Sequence, residues 1–285
     1  MSRISGTFEA LARNQEAAYI PYVCAGDPDK EFTVDLVAGL CSSGADLIEL
    51  GLPFSDPVGD GPTIQEAMGR ALSNGFEVKH LFDVIRRLRA KGLTQPIVVM
   101  SYFNPILRYD IGRFCEDAAR AGADGILVVD LPLEESGELD GHARANGLDV
   151  IRLVAPTTSA QRMERILASA SGFVYAVSAS GVTGAKRAMP ESAATLLRDL
   201  RARTKVPVIL GFGISSPAHV EEAVRKGASG VVEGSALVDI YAGSLHDRQR
   251  AIDHAARHAR TMKNATGTGA DQNLSGDDGS HTKQA

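Results

Sequence analysis

Residues 45–63 read ADLIELGLPFSDPVGDGPT, an aliphatic run that ends at Gly51 and passes into a loop dense in proline, glycine and acid. Side chains alternate along a strand, so Leu47 and Glu49 share one face while Ile48 and Leu50 share the other. With the wholly aliphatic pair packed on flanking helices, Glu49 projects from the opposite face. Strands that are apolar on both faces belong to parallel sheets covered by helices, and the segment Val78–Lys91 that follows returns Leu, Val and Ile at helical spacing.

The same strand-then-helix unit recurs along the chain. Runs at Ala18–Cys24, Leu47–Leu50, Ile97–Ser101, Gly125–Val129, Val150–Val154, Phe173–Val177, Val206–Gly211 and Gly230–Val232 make eight predicted strands. Helical patterns lie between them at Phe32–Ser43, Val78–Lys91, Ile111–Ala121, Ala160–Ala168, Ser192–Arg203 and Ala218–Lys226. Ser159 and Ser216 stand where caps are wanted, and Pro217 follows at the first helical position. Gly44, Gly92, Gly122, Gly147 and Gly227 follow the last periodic residue of a helix, where left-handed terminators occur.

Eight strands alternating with helices predict an α/β fold, a closed (β/α)8 TIM barrel forming one domain over residues 1–262. An open doubly wound sheet satisfies the same periodicity. The first residues, around Phe8 and Leu11, predict an extra N-terminal helix that plugs the bottom of the barrel. Residues 263–285 are read as a low-complexity tail. From Thr266 onward they hold one large aliphatic residue, Leu274, too little to offset ordering entropy, which predicts disorder.

Composition excludes several functional classes. A net charge of −5 gives no basic excess for nucleic acid or an anionic membrane. Cys24, Cys41 and Cys115 are scattered and odd in number, as in a reducing cytosol, and lack the paired spacings of zinc sites. The opening residues contain no signal-peptide core, and no stretch approaches the roughly 20 apolar residues of a membrane span. A cytoplasmic protein whose partners are small molecules or proteins is expected. The histidines, from His80 to His281, fall in helical patterns or the tail, on solvated surfaces, so no metal site is expected. Lys186 lies in a GVTGAKR segment rather than at a strand end, which disfavours Schiff-base chemistry.

Barrel active sites sit at the C-terminal ends of the strands. There, Glu49 would be buried, and burial raises a carboxyl toward the working range of a general acid or base. Asp56 and Asp60 follow in a loop stiffened by Pro53, Pro57 and Pro62. Structural readings stand beside the catalytic one: Asp56 before Pro57 fits a turn start, Asp60 between two glycines fits a solvated turn, and Glu49 fits a buried ion pair. Glycine-rich segments follow the last three strands, at Gly181–Gly184, Gly211–Gly213 and Gly234–Ser235. Backbone amides at such loops and at a helix start form the phosphate site of many barrels, although each glycine also fits a plain tight turn.

At these residues the sequence resembles the tryptophan synthase α-subunit family over about residues 5–260. The segment Glu49–Pro57 running on to Asp60–Thr63 carries the resemblance, joined in order by Tyr102-Phe103-Asn104-Pro105, Asp130-Leu131-Pro132, Gly181-Val182-Thr183-Gly184, Gly211-Phe212-Gly213 and Gly234-Ser235. The resemblance implies a lyase that cleaves indole-3-glycerol phosphate to indole and glyceraldehyde 3-phosphate by a retro-aldol route. Glu49 and Asp60 are then the catalytic acids. Tyr102, Tyr175, Thr183 and Phe212 bind substrate, and Gly184, Gly213, Gly234 and Ser235 hold its phosphate. Asp56, Asn104, Pro105, Asp130, Leu131 and Pro132 form the docking surface for a β subunit in an α2β2 assembly. No cofactor is implied in this chain, and pyridoxal phosphate belongs to the β partner. A stand-alone indole-releasing lyase and a catalytically weak, partner-activating barrel are the competing readings. Tyr22, Cys24, Gly59 and Ala179 depart from the residues common in the family, and Gly59 is expected to loosen the loop that carries Asp60.

Overall fold

The computed structural model describes residues 2–177, 191–211 and 213–267. Its strands are β1 (Ala18–Cys24), β2 (Ile48–Gly51), β3 (Ile97–Ser101), β4 (Gly125–Val128), β5 (Asp149–Val150), β6 (Arg152–Val154), β7 (Val174–Val177), β8 (Val208–Gly211) and β9 (Gly230–Glu233). Its helices are α1 (Arg3–Arg13), α2 (Lys30–Ser42), α3 (Pro62–Ser73), α4 (Val78–Ala90), α5 (Phe103–Tyr109), α6 (Ile111–Ala121), α7 (Gly137–Ala145), α8 (Ala160–Ser169), α9 (Glu191–Arg203), α10 (Pro217–Arg225), α11 (Ser235–Ala242) and α12 (Arg248–Asn264).

All neighbouring strands run parallel in the order β5-β4-β3-β2-β1-β9-β8-β7-β6. The two ends of this order are one stretch of chain. Asp149 and Val150 pair with β4, the Ile151 amide donates to the Ile126 carbonyl, and Arg152–Val154 pair with β7. The sheet therefore closes on itself, as a barrel, and the open-sheet alternative falls. The single strand expected over Val150–Val154 is divided because tilted strands are staggered: its beginning meets one neighbour and its end meets the other.

The helix signals have local causes that the geometry bears out. Ser159 accepts from the Arg162 amide and Ser216 from the His219 amide, with Pro217 at the first helical position. The five terminating glycines all take positive φ, between 72° and 106°. At Gly122 this lets the chain leave α6 and enter β4 without a Cβ clash.

Helix α1 closes the N-terminal end of the barrel. Ile4, Phe8 and Leu11, one face of the helix, are buried, and Phe8 meets the Phe173 ring edge-on at 5.9 Å, just before β7. Arg3 pairs with Asp124 at 2.6 Å at the entrance to β4. Truncating Phe8 leaves a cavity under the barrel floor; Phe8→Ala is expected to cost about 3–5 kcal/mol in a denaturant unfolding curve.

The folded region extends further than the boundary expected at residue 262. Ala251, Ala255, Ala259 and Met262 form a buried stripe on α12, which packs on α2 and α11. Lys263 bridges Glu16 and Asp46 at 2.7 and 3.0 Å, and Thr266 is fully buried. The Ala17 amide donates to the Thr266 carbonyl, and Gly267 forms an isolated antiparallel bridge with Glu16. The contacts with Glu16, Ala17, Asp46 and α2 reach back to the first elements of the chain, which composition does not register. The remainder of the expected tail lies outside the described residues.

Candidate active site

A cavity of about 590 Å³ opens at the C-terminal ends of the strands. Tyr22, Glu49, Met100, Leu127, Leu153, Tyr175 and Val232 line it, each from a different strand and each on the inward face. Two aromatic rings fit because glycines on the adjacent strands leave room. A Cβ on Gly211 would lie 1.9 Å from the Tyr175 ring, and one on Gly51 would lie 2.3 Å from the Tyr22 hydroxyl. These glycines serve ring packing rather than a turn.

Glu49 sits on β2 with 2% exposure, and its Oε1 has no hydrogen-bond partner. Burial first, and the charge of Asp60 second, push its carboxyl up to about 8. No structural ion pair forms at Glu49 among the described residues, so the ion-pair alternative is set aside. Asp60 belongs to the following loop and is half-buried. Burial raises its carboxyl above the usual range, opposed by the hydrogen bond from Tyr102.

Tyr102 is the post that holds this loop. Its ring is buried and packs on Phe54 at 5.3 Å, its hydroxyl donates to Asp60 Oδ2 at 2.7 Å, and the Gly59 amide donates to the same hydroxyl oxygen at 2.9 Å. Gln65 Nε2 adds a bond to the Asp60 carbonyl at 2.8 Å. Gly59, expected to loosen the loop, is tied to Tyr102 through its amide, and a Cβ there would lie 3.1 Å from the Tyr102 hydroxyl. Sequence reading placed Tyr102 in the pocket but missed this bracing role, which depends on residues 42 apart in the chain.

Across the cavity, Gly213, Gly234 and Ser235 line the wall together with Ser215. Gly213 has φ of 58°, and Gly234 caps the start of α11, whose first residues Ser235 and Ala236 line the same cavity. Ser215 was not singled out in the sequence, although its place two residues after Gly213 is the available signal. Thr183, Gly184 and Phe212 lie outside the described residues.

The remaining candidates gather on the rim. Asp56 is exposed and accepts from Ser55 Oγ at 2.5 Å. Asp130 accepts from the Phe103 amide at 2.7 Å, which ties the turn holding Leu131 and Pro132 to the start of α5, where Asn104 and Pro105 lie. Val58, 88% exposed, and Leu107, 53% exposed, are the large apolar side chains presented to solvent among the described residues. Both stand on the elements that carry these rim residues, and neither was picked out from sequence, because an apolar residue in a loop or short helix carries no local sign of exposure.

The reading of the histidines needs one correction. His258 is not a solvated surface residue: its Nε2 lies 2.7 Å from Oε1 of Glu233, a fully buried carboxylate that also accepts from Tyr19 at 2.6 Å. This trio lies outside the barrel wall, between β9, β1 and α12. Among the described residues no group of three His, Cys, Asp or Glu could hold a metal ion.

Fold and cavity define an α/β barrel that gathers two carboxyl groups, Glu49 and Asp60, in one cavity at the C-terminal ends of its strands. The family model of the tryptophan synthase alpha chain matches residues 8–267. The tryptophan synthase alpha chain of Gluconacetobacter diazotrophicus is 48% identical over 275 residues, covering 92% of this chain and 100% of that one. That of Granulibacter bethesdensis is 49% identical over 247 residues, 87% of this chain and 88% of the relative. Among solved structures, tryptophan synthase subunit alpha of Legionella pneumophila superimposes with a TM-score of 0.86 at 35% identity, covering 93% of this chain and 98% of that one. A chain of the tryptophan synthase a2b2 complex of Pyrococcus furiosus gives a TM-score of 0.79 at 39% identity, covering 87% and 98%. The chain belongs to the tryptophan synthase alpha chain family.

Proposed function

We propose that Glu49 and Asp60 together carry the family's reaction in this chain, the lyase cleavage of indole-3-glycerol phosphate to indole and glyceraldehyde 3-phosphate in tryptophan biosynthesis. The observation that carries these roles is the state of Glu49: buried, unpartnered at one oxygen, and poised near about 8 beside a second carboxylate. A carboxyl in that range delivers and recovers a proton near neutrality.

The chemistry follows from the electron demand of indole. The ring leaves only after carbon C3 gains a proton, which places positive charge on the ring nitrogen. Glu49 gives that proton. Asp60, steadied by Tyr102, accepts the hydrogen bond of the ring N–H and balances the cation. Glu49, now a carboxylate, takes the proton of the hydroxyl on the adjoining glycerol carbon as the carbon–carbon bond breaks. The bond pair restores the aromatic ring and the hydroxyl oxygen becomes the aldehyde oxygen. Met100, Leu127, Leu153 and Tyr175 offer the apolar bed for the ring, while Gly213, Gly234 and Ser235, with Gly184, take the phosphate on amides at a helix start. Thr183 and Phe212 complete the substrate-binding set. The reaction needs no cofactor in this chain; pyridoxal phosphate belongs to the β partner.

The partner is the β subunit, in an α2β2 assembly. Asp56, Asn104, Pro105, Asp130, Leu131 and Pro132 form the docking rim, and the exposed Val58 and Leu107 give it the apolar contact that a stable interface requires. This apolar rim favours a channelling subunit over a stand-alone lyase, and the poised Glu49 disfavours a barrel that only binds. The site of action is the cytoplasm, which accords with three free, buried cysteines; no helix among the described residues is long and apolar enough to cross a membrane.

The test is indole release from indole-3-glycerol phosphate by the purified chain, alone and with a tryptophan synthase β subunit. Slow release that accelerates on adding the partner is expected. Fast release unaffected by the partner would turn the reading to the independent lyase, and no release in either case would leave a binding barrel.

A further inference from the structure

The roles above leave one buried polar group of the cavity unused. Tyr22 is 3% exposed, and its hydroxyl, like Glu49 Oε1, has no hydrogen-bond partner. Tyr22 and Glu49 are register partners on adjacent parallel strands, so their side chains leave the sheet on the same face, and both line the cavity. The Tyr22 ring is held in place by the gap over Gly51, where any Cβ would strike it. Among the described residues, the only group that takes any bond from the phenol is the Cys24 thiol on its own strand, a buried and weak acceptor that leaves the hydroxyl without a full hydrogen bond. Burial first, then the neighbouring Cys24, Asp60, Tyr241 and Glu49, holds the phenol well above its ordinary range, so it stays protonated and able to donate.

A buried hydroxyl left unbonded costs about 1–3 kcal/mol. Two orphaned groups at one register, in one cavity, call for a single polar atom between them. We infer that Tyr22 is a substrate-contacting residue whose O–H donates to the substrate hydroxyl that Glu49 deprotonates. The inference rests on the reaction proposed above. As the carbon–carbon bond breaks, the hydroxyl proton passes to the Glu49 carboxylate, and the bond pair returns to the indole ring. The oxygen becomes the carbonyl oxygen of the aldehyde. Tyr22 keeps its own proton throughout, and its hydrogen bond strengthens as negative charge gathers on that oxygen. The phosphate end needs no phenol in this reading, because Gly213, Gly234 and Ser235 offer it backbone amides of their own.

Tyr22→Phe keeps the ring and removes the donor. With the β subunit present, kcat/KM for indole-3-glycerol phosphate is expected to fall about 10- to 100-fold, chiefly in kcat. The dissociation constant for indole-3-propanol phosphate, which lacks that hydroxyl, is expected to stay within about twofold. Unchanged cleavage by the variant overturns the inference. A parallel loss of affinity for the propanol phosphate also overturns it, since the ring packing would then be what Tyr22 supplies. Wild-type chain is run beside the variant: if it releases no indole, the reaction assignment itself falls, whereas wild-type cleavage with an unaffected variant removes Tyr22 alone.

Discussion

Glu49→Gln is expected to leave a folded barrel that releases indole about 10³–10⁴ times more slowly than the parent chain. The amide matches the carboxyl in shape and fits the same buried position, but it neither gives a proton to ring carbon C3 nor takes one from the glycerol hydroxyl. A steady-state assay with the β subunit present measures this, and turnover within tenfold of wild type would remove Glu49 from its role. The parent enzyme also has a pH signature. Its Glu49 is pushed up to about 8, so the proton-donating form is lost as pH rises through that value, and the rate falls on the alkaline side. With Asp60 acting as a carboxylate, as proposed, its raised pKa is expected to move the acid-side loss of activity above the ordinary aspartate range.

The same substitution has an opposite effect on stability. A carboxyl whose folded pKa lies above its unfolded value of 4.5 favours the folded state at low pH and loses that advantage as pH rises toward about 8. The penalty at alkaline pH is of the order of 3–5 kcal/mol, and Gln carries none of it. Melting curves should therefore show the variant gaining on the parent between about pH 5 and about pH 9. A gap independent of pH would show that Glu49 is not buried as a strained acid.

Asp60→Asn is expected to lower turnover by about 10²–10³, with little change in melting temperature. The amide can still meet Tyr102, so the loop keeps its brace, but a neutral group does not balance the cation formed on the indole nitrogen. Tyr102→Phe separates the two contributions. It retains the charge and removes the bond that orients it, so its loss of activity should be smaller than that of Asp60→Asn. An equal or larger loss would assign the chemistry to the phenol instead of the acid.

Much of this architecture is legible in short windows of sequence. The aliphatic run at 47–50, the caps at Ser159 and Ser216 and the terminal glycines are each decided by residues within a few positions of one another, because strand alternation and helix capping are local physics. The order of the motifs from Glu49 to Ser235 was enough to point to the family. The same windows were silent on α5 and on the end of α12, whose limits depend on what packs against them.

Only the tertiary structure decided how these pieces work together. Closure of the barrel through Asp149–Val154 joins strands from the two ends of the sheet order, and no local pattern specifies which neighbours a staggered strand will meet. The brace of Tyr102 on Gly59 and Asp60, the seating of Tyr22 over Gly51, and the pairing of His258 with the buried Glu233 all join residues far apart in the chain. The poise of Glu49 is of the same kind. A carboxyl's proton affinity is set by the solvent it loses and the charges around it, sums over the whole folded neighbourhood, whereas the sequence by itself determined which carboxyl would be there.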